Sequence, residues 1–226
     1  SYFHKTLQAA PRSPMAYYNL GNAFDQLNQP REAEAHYRRA LELDPNYAEA
    51  HSNLGCLLYA AGNKQEAIKH FTRAISLNPN YAEAHNNLGL IFLELGRAQQ
   101  AESLLLEAVR HKPAYSEAWF NLGNIEDSRG DYRAAIAAYE RALELRSDMY
   151  EAWNNKGNAY IHLGDREEAA HCYRNAIETS PDCYECWFNL GTAHADIGEL
   201  DQAIRCYRKA LEITPDAHQA SYNLGF

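Results

Sequence analysis

Seven asparagines recur along the chain at one constant interval and could hold the main chain of a peptide. They stand 34 residues apart, at Asn19, Asn53, Asn87, Asn121, Asn155, Asn189 and Asn223. An asparagine amide offers both donors and an acceptor, so a row of them can bind a peptide backbone whatever its sequence. The alternative is structural, since the amides could instead bond to neighbouring segments or to water.

Further polar residues extend this candidate surface. Helical spacing places three more asparagines beside the row, because they follow its members by one turn: Asn22, Asn124 and Asn158. Carboxylates one turn later predict an acidic surface that favours basic or neutral ligands: Asp25, Asp127, Glu94 and Asp196. Another set is more typical of first-turn residues that complement the helix dipole: Glu49, Glu83, Glu117, Glu151 and Glu185.

One Cys-x-x-Cys pair, Cys183 and Cys186, has the spacing found in metal and redox sites. The pair stands alone, and Cys186 occupies a position where other segments have Ala50, Ala84, Ala118 and Ala152. Small buried side chains explain this pattern without a ligand. We therefore predict packed cysteines, no metal site and no cofactor. His51 and His85 are likewise interpreted as partly exposed packing residues rather than ligands.

Nothing in the sequence predicts a catalytic centre. It contains no Gly-x-x-x-x-Gly-Lys loop, no Gly-x-Ser-x-Gly elbow and no His-Glu-x-x-His pair. The net charge of −9 opposes binding to nucleic-acid phosphates. No apolar run is long enough to span a membrane, and residues 1–30 lack the order of a secretory signal. The five cysteines do not suggest an extracellular disulfide framework, so a cytoplasmic protein is expected.

The elements that position the asparagines follow from a repeat of 34 residues. Glycine recurs at this interval, two residues after each asparagine, at Gly21, Gly55, Gly89, Gly123, Gly157, Gly191 and Gly225. The apolar residues around each glycine have helical spacing, which predicts an amphipathic first helix. A small, large, small sequence follows, as in Ala33, Tyr37 and Ala40. It predicts a second helix that packs closely against a neighbour.

Turn residues separate these helices. They fall inside each unit at Asn63, Gly96, Gly130, Gly164 and Gly198, and between units at Asp44-Pro45-Asn46, Asn78-Pro79-Asn80 and Thr214-Pro215-Asp216. We predict six helical hairpins, over 14–47, 48–81, 82–115, 116–149, 150–183 and 184–217. Residues 1–13 are predicted to end an earlier hairpin and residues 218–226 to begin a further one. Because such stacks normally end in polar caps, we expect a fragment of a longer protein.

This pattern resembles the tetratricopeptide repeat, whose signature is an aromatic residue, Leu-Gly, an aromatic residue, then Ala, Phe or Tyr, Ala and Pro. The sixth hairpin carries it at Trp187, Leu190-Gly191, Ala203, Tyr207, Ala210 and Pro215. The resemblance covers nearly the whole chain. It implies an all-α fold, a right-handed superhelical solenoid of helix-turn-helix repeats, in which the first helices line a concave face. A similar asparagine row lies inside the superhelix of the O-linked N-acetylglucosamine transferase.

The resemblance and the amide row together predict a protein-protein interaction module that captures an extended peptide or a helix in its concave groove. The predicted contact residues are Asn19, Asn53, Asn87, Asn121, Asn155, Asn189, Asn22, Asn124, Asn158, Asp25 and Asp127. The expected partner is a basic or neutral protein or peptide, with no nucleic acid and no membrane. A receptor for acidic chaperone tails is rejected, because glutamates stand where such a site needs lysines.

Two alternatives remain open. The chain could be the recognition arm of a larger enzyme, such as a glycosyltransferase, or an architectural scaffold that associates with itself. The fourth and fifth hairpins also depart from the repeat pattern, at Glu126, Arg129, Ser147 and Lys156. Because a lone buried charge is costly, we expect either that Glu126 pairs with Lys156 across adjacent first helices or that this junction is locally hydrated.

Overall fold

The computed structural model describes residues 12–215, which form twelve α-helices and no β-strand. The helices are α1 Pro14–Gln26, α2 Pro30–Leu43, α3 Ala48–Ala60, α4 Lys64–Leu77, α5 Ala82–Glu94, α6 Ala98–His111, α7 Ser116–Arg129, α8 Tyr132–Leu145, α9 Tyr150–Leu163, α10 Arg166–Thr179, α11 Tyr184–Asp196 and α12 Leu200–Ile213. The predicted all-α helical-repeat fold is confirmed. None of these helices is long and apolar enough to cross a membrane.

The helices belong to two compact halves, divided between Pro113 and Ala114. The N-terminal half contains α1 to α6 and the C-terminal half contains α7 to α12. Within each half the helices pack in consecutive pairs, and each pair packs against the next. Short connections make the two helices of a pair antiparallel. The predicted helix remnant before residue 12 and the predicted start at 218–226, which includes Asn223, lie outside the described residues.

A glycine in the middle of each first helix lets the second helix of the pair approach closely. A Cβ added at Gly123 would lie only 2.5 Å from Cε1 of Tyr139. Tyr139 is fully buried, and so are Ala135 and Ala142, one turn away on either side along α8. The small, large, small sequence therefore forms the contact that joins the two helices of a pair.

The turns inside the hairpins use the left-handed backbone region. Gly130 and Gly164 take φ of 80° and 85° at the ends of α7 and α9. The first hairpin uses Asn28 at the equivalent position, with φ of 55°, because asparagine tolerates this region better than most residues. In the second hairpin Gly62 takes this conformation, with φ of 81°, and the predicted turn residue Asn63 lies next to it in the same turn, directly before α4.

Candidate functional site

The asparagine row joins successive first helices within each half. In the N-terminal half, Asn53 Nδ2 donates to Asn22 Oδ1 at 2.9 Å, and Asn87 Nδ2 donates to Cys56 Sγ at 3.3 Å. In the C-terminal half, Asn155 Nδ2 donates to Asn124 Oδ1 at 3.0 Å. Asn189 Nδ2 donates in the same way to Asn154 Oδ1 at 3.0 Å. The amide NH₂ groups therefore serve to hold neighbouring hairpins together.

The asparagines one turn beyond the row accept a second bond from a buried hydroxyl. Each bond comes from the second helix of the same hairpin: Tyr37 Oη to Asn22 Oδ1 at 2.7 Å, Tyr139 Oη to Asn124 Oδ1 at 2.8 Å and Tyr173 Oη to Asn158 Oδ1 at 2.7 Å. Burial raises the pKa of Tyr37 to about 12, so its hydroxyl remains a donor. These asparagines therefore connect helices, and their acceptors are occupied.

The acceptor side of the row is less occupied than the donor side. Asn53 and Asn189 are half-buried, and their Oδ1 atoms have no hydrogen-bond partner in the described part of the chain. Asn19 is exposed, and its side chain makes no hydrogen bond with any described residue. Asn121 is only 7% exposed, which leaves little of its amide for a ligand. The Oδ1 atoms of Asn87 and Asn155 already accept from the preceding asparagine, at 3.3 and 3.4 Å. At Asn53 and Asn189 the surface offers carbonyl oxygens, suited to a ligand that donates N–H groups.

Half of the predicted acidic surface is neutralised by the chain itself. Glu94 pairs with Lys64 at 2.8 Å and accepts from the Tyr59 hydroxyl. Asp196 pairs with Arg166 at 3.2 Å. Asp25 is exposed, whereas Asp127 is half-buried and its Oδ1 is shielded, with no partner among the described residues. Burial raises the pKa of Asp127, and the nearby His162 partly offsets this rise.

Two first-turn glutamates close their own hairpins. Glu83, at the start of α5, pairs with Lys112 after α6 at 2.7 Å. Glu117, at the start of α7, pairs with Arg146 after α8 at 2.6 Å. This arrangement supports the interpretation that these glutamates are structural. It adds an ion pair to the helix-dipole effect that the sequence suggested.

The predicted pair of Glu126 with Lys156 is wrong. Lys156 Nζ lies 2.9 Å from Glu140 Oε1, and its side chain is 12% exposed. Glu126 instead pairs with Arg129 in the same helix at 3.1 Å. Lys156 occupies the leucine position of the repeat, which faces the second helices. It therefore meets a carboxylate of α8 rather than one of the first helix α7.

The Cys-x-x-Cys pair forms a disulfide, which was not predicted, while both cysteines are buried as expected. Cys183 and Cys186 are joined at 2.00 Å and are 7% and 0% exposed. Cys183 precedes α11, and its Sγ accepts from the main-chain N–H of Cys186 at 3.1 Å. The Cys-x-x-Cys spacing was the sequence feature that could have predicted this disulfide. Among the described residues, no group of three or more His, Cys, Asp or Glu side chains could hold a metal ion.

The histidines at the aromatic position differ in burial. His85 is 6% exposed, so it is buried rather than partly exposed as predicted, whereas His51 is half-buried. His51 Nε2 lies 3.1 Å from the carbonyl oxygen of Pro45, and its Nδ1 lies 2.9 Å from His70 Nδ1. A carbonyl can only accept, so Nε2 of His51 donates and its Nδ1 accepts from His70. Burial lowers the pKa of both rings, so both are neutral near pH 7.

We expect His70 to make the N-terminal half less stable in mild acid. Burial lowers the pKa of His70 to about 4. The nearby His51 and Arg38 also lower this pKa, whereas Glu66 raises it. The unfolded state binds a proton near pH 6.5 and the folded state only near pH 4, so stability is lost as the pH falls through this window. His70→Leu, which copies Leu104 of the next hairpin, removes this proton uptake. Between pH 7 and pH 5 the free energy of unfolding of the variant should fall by about 1 kcal/mol less than that of the wild type. This figure is smaller than the full pKa shift implies, because His70 is partly exposed to solvent.

Urea unfolding at the two pH values measures this difference. Carboxylate titration is common to both proteins and cancels in the comparison. Equal losses in the wild type and the His70→Leu variant would contradict the prediction.

The paired helices and their close glycine contacts define a helical-repeat protein. A family profile described as tetratricopeptide repeat matches residues 1–48, 18–82, 52–116, 87–128 and 154–218. A second profile with the same description matches residues 116–149. The chain belongs to the tetratricopeptide repeat family, whose members generally serve as protein-protein interaction modules and are typically non-catalytic. A comparison with curated proteins gives no match.

Several solved structures share this fold. The APC/C hetero-tetramer Cut9–Hcn1 has a TM-score of 0.82 and 19% identity, and the match covers 99% of this chain and 44% of that chain. The pilF protein of Pseudomonas aeruginosa has a TM-score of 0.83 and 20% identity, with 92% and 95% covered. YrrB, a repeat protein with an unusual peptide-binding site, has a TM-score of 0.69 and 21% identity, with 84% and 98% covered. The chain thus spans less than half the length of the first of these proteins.

Proposed function

We propose that the chain is an adaptor or substrate-recognition module that holds an extended peptide or a helix against its first helices. The observation that carries this proposal is the asymmetry of the amide row. In Asn53 and Asn189 the NH₂ group is fixed by the preceding first helix, while Oδ1 has no partner among the described residues. Each such oxygen is held in place before a ligand arrives, which reduces the entropy lost on binding.

The chemistry of this surface selects the ligand. Carbonyl oxygens accept from the main-chain N–H groups that every peptide offers, so the contact needs no particular side chain. Asp25 and Asp127 add negative charge, which favours basic or neutral segments. The similar fold of YrrB, a repeat protein with a peptide-binding site, supports this proposal.

A peptide-display selection against the full chain tests the proposal. The selected peptides are titrated against the wild type and against a variant with Asn53→Ala and Asn189→Ala, the two residues whose Oδ1 atoms have no partner among the described residues. Loss of two hydrogen bonds, each contributing about 1 kcal/mol, should weaken binding roughly tenfold or more. N-methylation of the contacting peptide bonds should weaken binding similarly, because it removes the donors.

Asn175→Ala is the matched control. Asn175 lies on the second helix α10, and among the described residues its side chain bonds only to His171 of the same helix. The control should bind the peptides as the wild type does, and urea midpoints establish that all variants remain folded. If the selected peptides bind the double variant with unchanged affinity, the asparagines are structural and the proposed surface is wrong.

A further inference from the structure

A crevice recurs on the side of the chain that the second helices form. Its floor is a first helix, and its walls include the second helix of the preceding hairpin. Volumes of about 310, 360 and 390 Å³ occur at three places. Equivalent repeat positions line all three. In order along the chain, they include Leu41, His51 and Leu54, then Leu143, Trp153 and Lys156, then Ile177, Trp187 and Leu190.

In the first two crevices the chain satisfies its own charges. Arg38, on the wall of the first, bonds to Glu34 of its own helix and to Glu66 of α4, each at 2.8 Å. In the second, Lys156 replaces the leucine of the floor and pairs with Glu140 of the wall at 2.9 Å. Its ammonium also lies 5.4 Å from the centre of the Trp153 ring. An incoming charged ligand would have to break these internal pairs.

The third crevice, between α10 and α12, lacks this internal neutralisation. Arg174 lines it from α10 and Arg205 from α12, and neither forms an ion pair within the part of the chain that the structure describes. The one hydrogen bond of the Arg174 guanidinium group runs from Nε to the carbonyl of Ala170, in its own helix, at 3.2 Å. The guanidinium groups of Arg174 and Arg205 are both exposed and are therefore available to bind an anion.

The floor of this crevice is apolar at Trp187 and Leu190, whereas His194, farther along α11, also lines it and is bonded to Glu199 at 2.6 Å. Trp187 lies half-buried on it beside Leu190, with Ile177 on the wall. The indole N–H of Trp187 already donates to the carbonyl of Pro181 at 2.8 Å, so its ring offers only an apolar face to a ligand. Burying an aromatic or aliphatic side chain against this floor is favourable.

We propose that this crevice docks a partner segment in which an aromatic side chain stands beside the side-chain carboxylate of an Asp or Glu. The aromatic ring packs on Trp187, and the carboxylate bonds to Arg174 and Arg205, whose planar groups suit carboxylate recognition. Glu178 also lines the crevice and repels a second carboxylate, so the segment carries a single acidic residue there. This surface is separate from the first-helix surface proposed above to hold a peptide.

The direction of the walls supports an internal residue as the source of the carboxylate. Both α10 and α12 pack against α11, and the short connections make both antiparallel to it, so the two walls of the crevice run in the same direction. A partner chain can therefore continue beyond both ends of the contact. A chain terminus is not required.

Nuclear magnetic resonance of the ¹⁵N-labelled full chain tests the proposal through its three tryptophan indole signals. The probe is an acetylated and amidated Gly/Ser peptide with one Phe-Glu pair. We expect it to shift the Trp187 signal and to leave those of Trp119 and Trp153 in place. The matched Phe-Gln peptide should bind roughly tenfold more weakly, because it lacks the charge that both arginines meet.

The combined variant Arg174→Gln and Arg205→Gln should weaken binding of the Phe-Glu peptide roughly tenfold and leave the Phe-Gln peptide unaffected. Arg38→Gln, at the position equivalent to Arg174, should change neither affinity. An unmoved Trp187 signal, equal binding of the two peptides, or full affinity in the double variant would each overturn the proposal. If a peptide with a free C-terminal Phe and no Glu bound more tightly than the Phe-Glu peptide, the carboxylate would come from a chain terminus. The assignment to an Asp or Glu side chain would then be wrong.

Discussion

Tyr139→Ala is expected to lower the free energy of unfolding of the C-terminal half by about 3–5 kcal/mol. The tyrosine is fully buried in α8, and its ring lies against the middle of α7 at Gly123. Its ring centre is 5.9 Å from that of Phe120, and its hydroxyl bonds to Asn124. Truncation to alanine leaves a cavity between two helices and removes a donor from the amide network.

Tyr139→Phe separates the two effects, because it keeps the ring and removes only the bond to Asn124. Its expected cost is about 1 kcal/mol. Urea unfolding followed by circular dichroism gives the midpoints, and hydrogen exchange in α7 and α8 locates the loss, since repeat proteins can unfold in stages. If the alanine variant were no less stable than the phenylalanine variant, the close packing described for this pair of helices would be wrong.

Gly123→Ala is expected to destabilise the same half by about 1–3 kcal/mol, although alanine is the better helix former. Helix propensity alone predicts a gain of about 1 kcal/mol at this position. The added Cβ would lie 2.5 Å from Cε1 and 2.6 Å from Cδ1 of Tyr139. That ring is buried and held by its hydroxyl, so α7 and α8 must separate to admit the methyl group.

Gly89→Ala is the matched control in the N-terminal half. There the nearest atoms are Cγ of Leu105 at 3.1 Å and the main-chain oxygen of Ala101 at 3.3 Å, so both contacts are longer than those at Gly123 and need only a small shift. The cost should be clearly smaller than at Gly123, and combining Gly123→Ala with Tyr139→Leu should recover part of the loss at Gly123. Thermal unfolding of the four proteins tests this. A Gly123→Ala variant as stable as the wild type would show that propensity outweighs the clash.

Sequence periodicity was enough to predict the helical pairs. The spacing of Gly123, Ala135 and Tyr139 specifies which residues face the partner helix, because helical geometry repeats every 3.6 residues and the repeat brings each hairpin against the next. Family resemblance extended the prediction from separate hairpins to a helical-repeat fold. The turn residues were predicted less accurately, since Gly62 and Asn63 are both common in turns and only the backbone distinguishes them.

The hydrogen-bond and ion-pair partners on the candidate surface could not be predicted from the sequence. Asn53 and Asn22 stand on different first helices, and the bond between them depends on how those helices are placed side by side. Lys156 was assigned to Glu126 because both depart from the repeat in first helices, yet its side chain meets Glu140 of a second helix. Side-chain direction, rather than sequence distance, decides such pairs.

The sequence by itself determined the all-α hairpin architecture, the buried glycine and alanine contacts, and the row of amides on the first helices. These follow from local periodicity and from a constant repeat length. Only the tertiary structure decided which amide atoms are occupied, that Cys183 and Cys186 are joined, and that Arg174 and Arg205 flank an apolar crevice without a carboxylate partner in the described residues. Such features depend on distances between side chains of different helices, which a pattern along one chain does not contain.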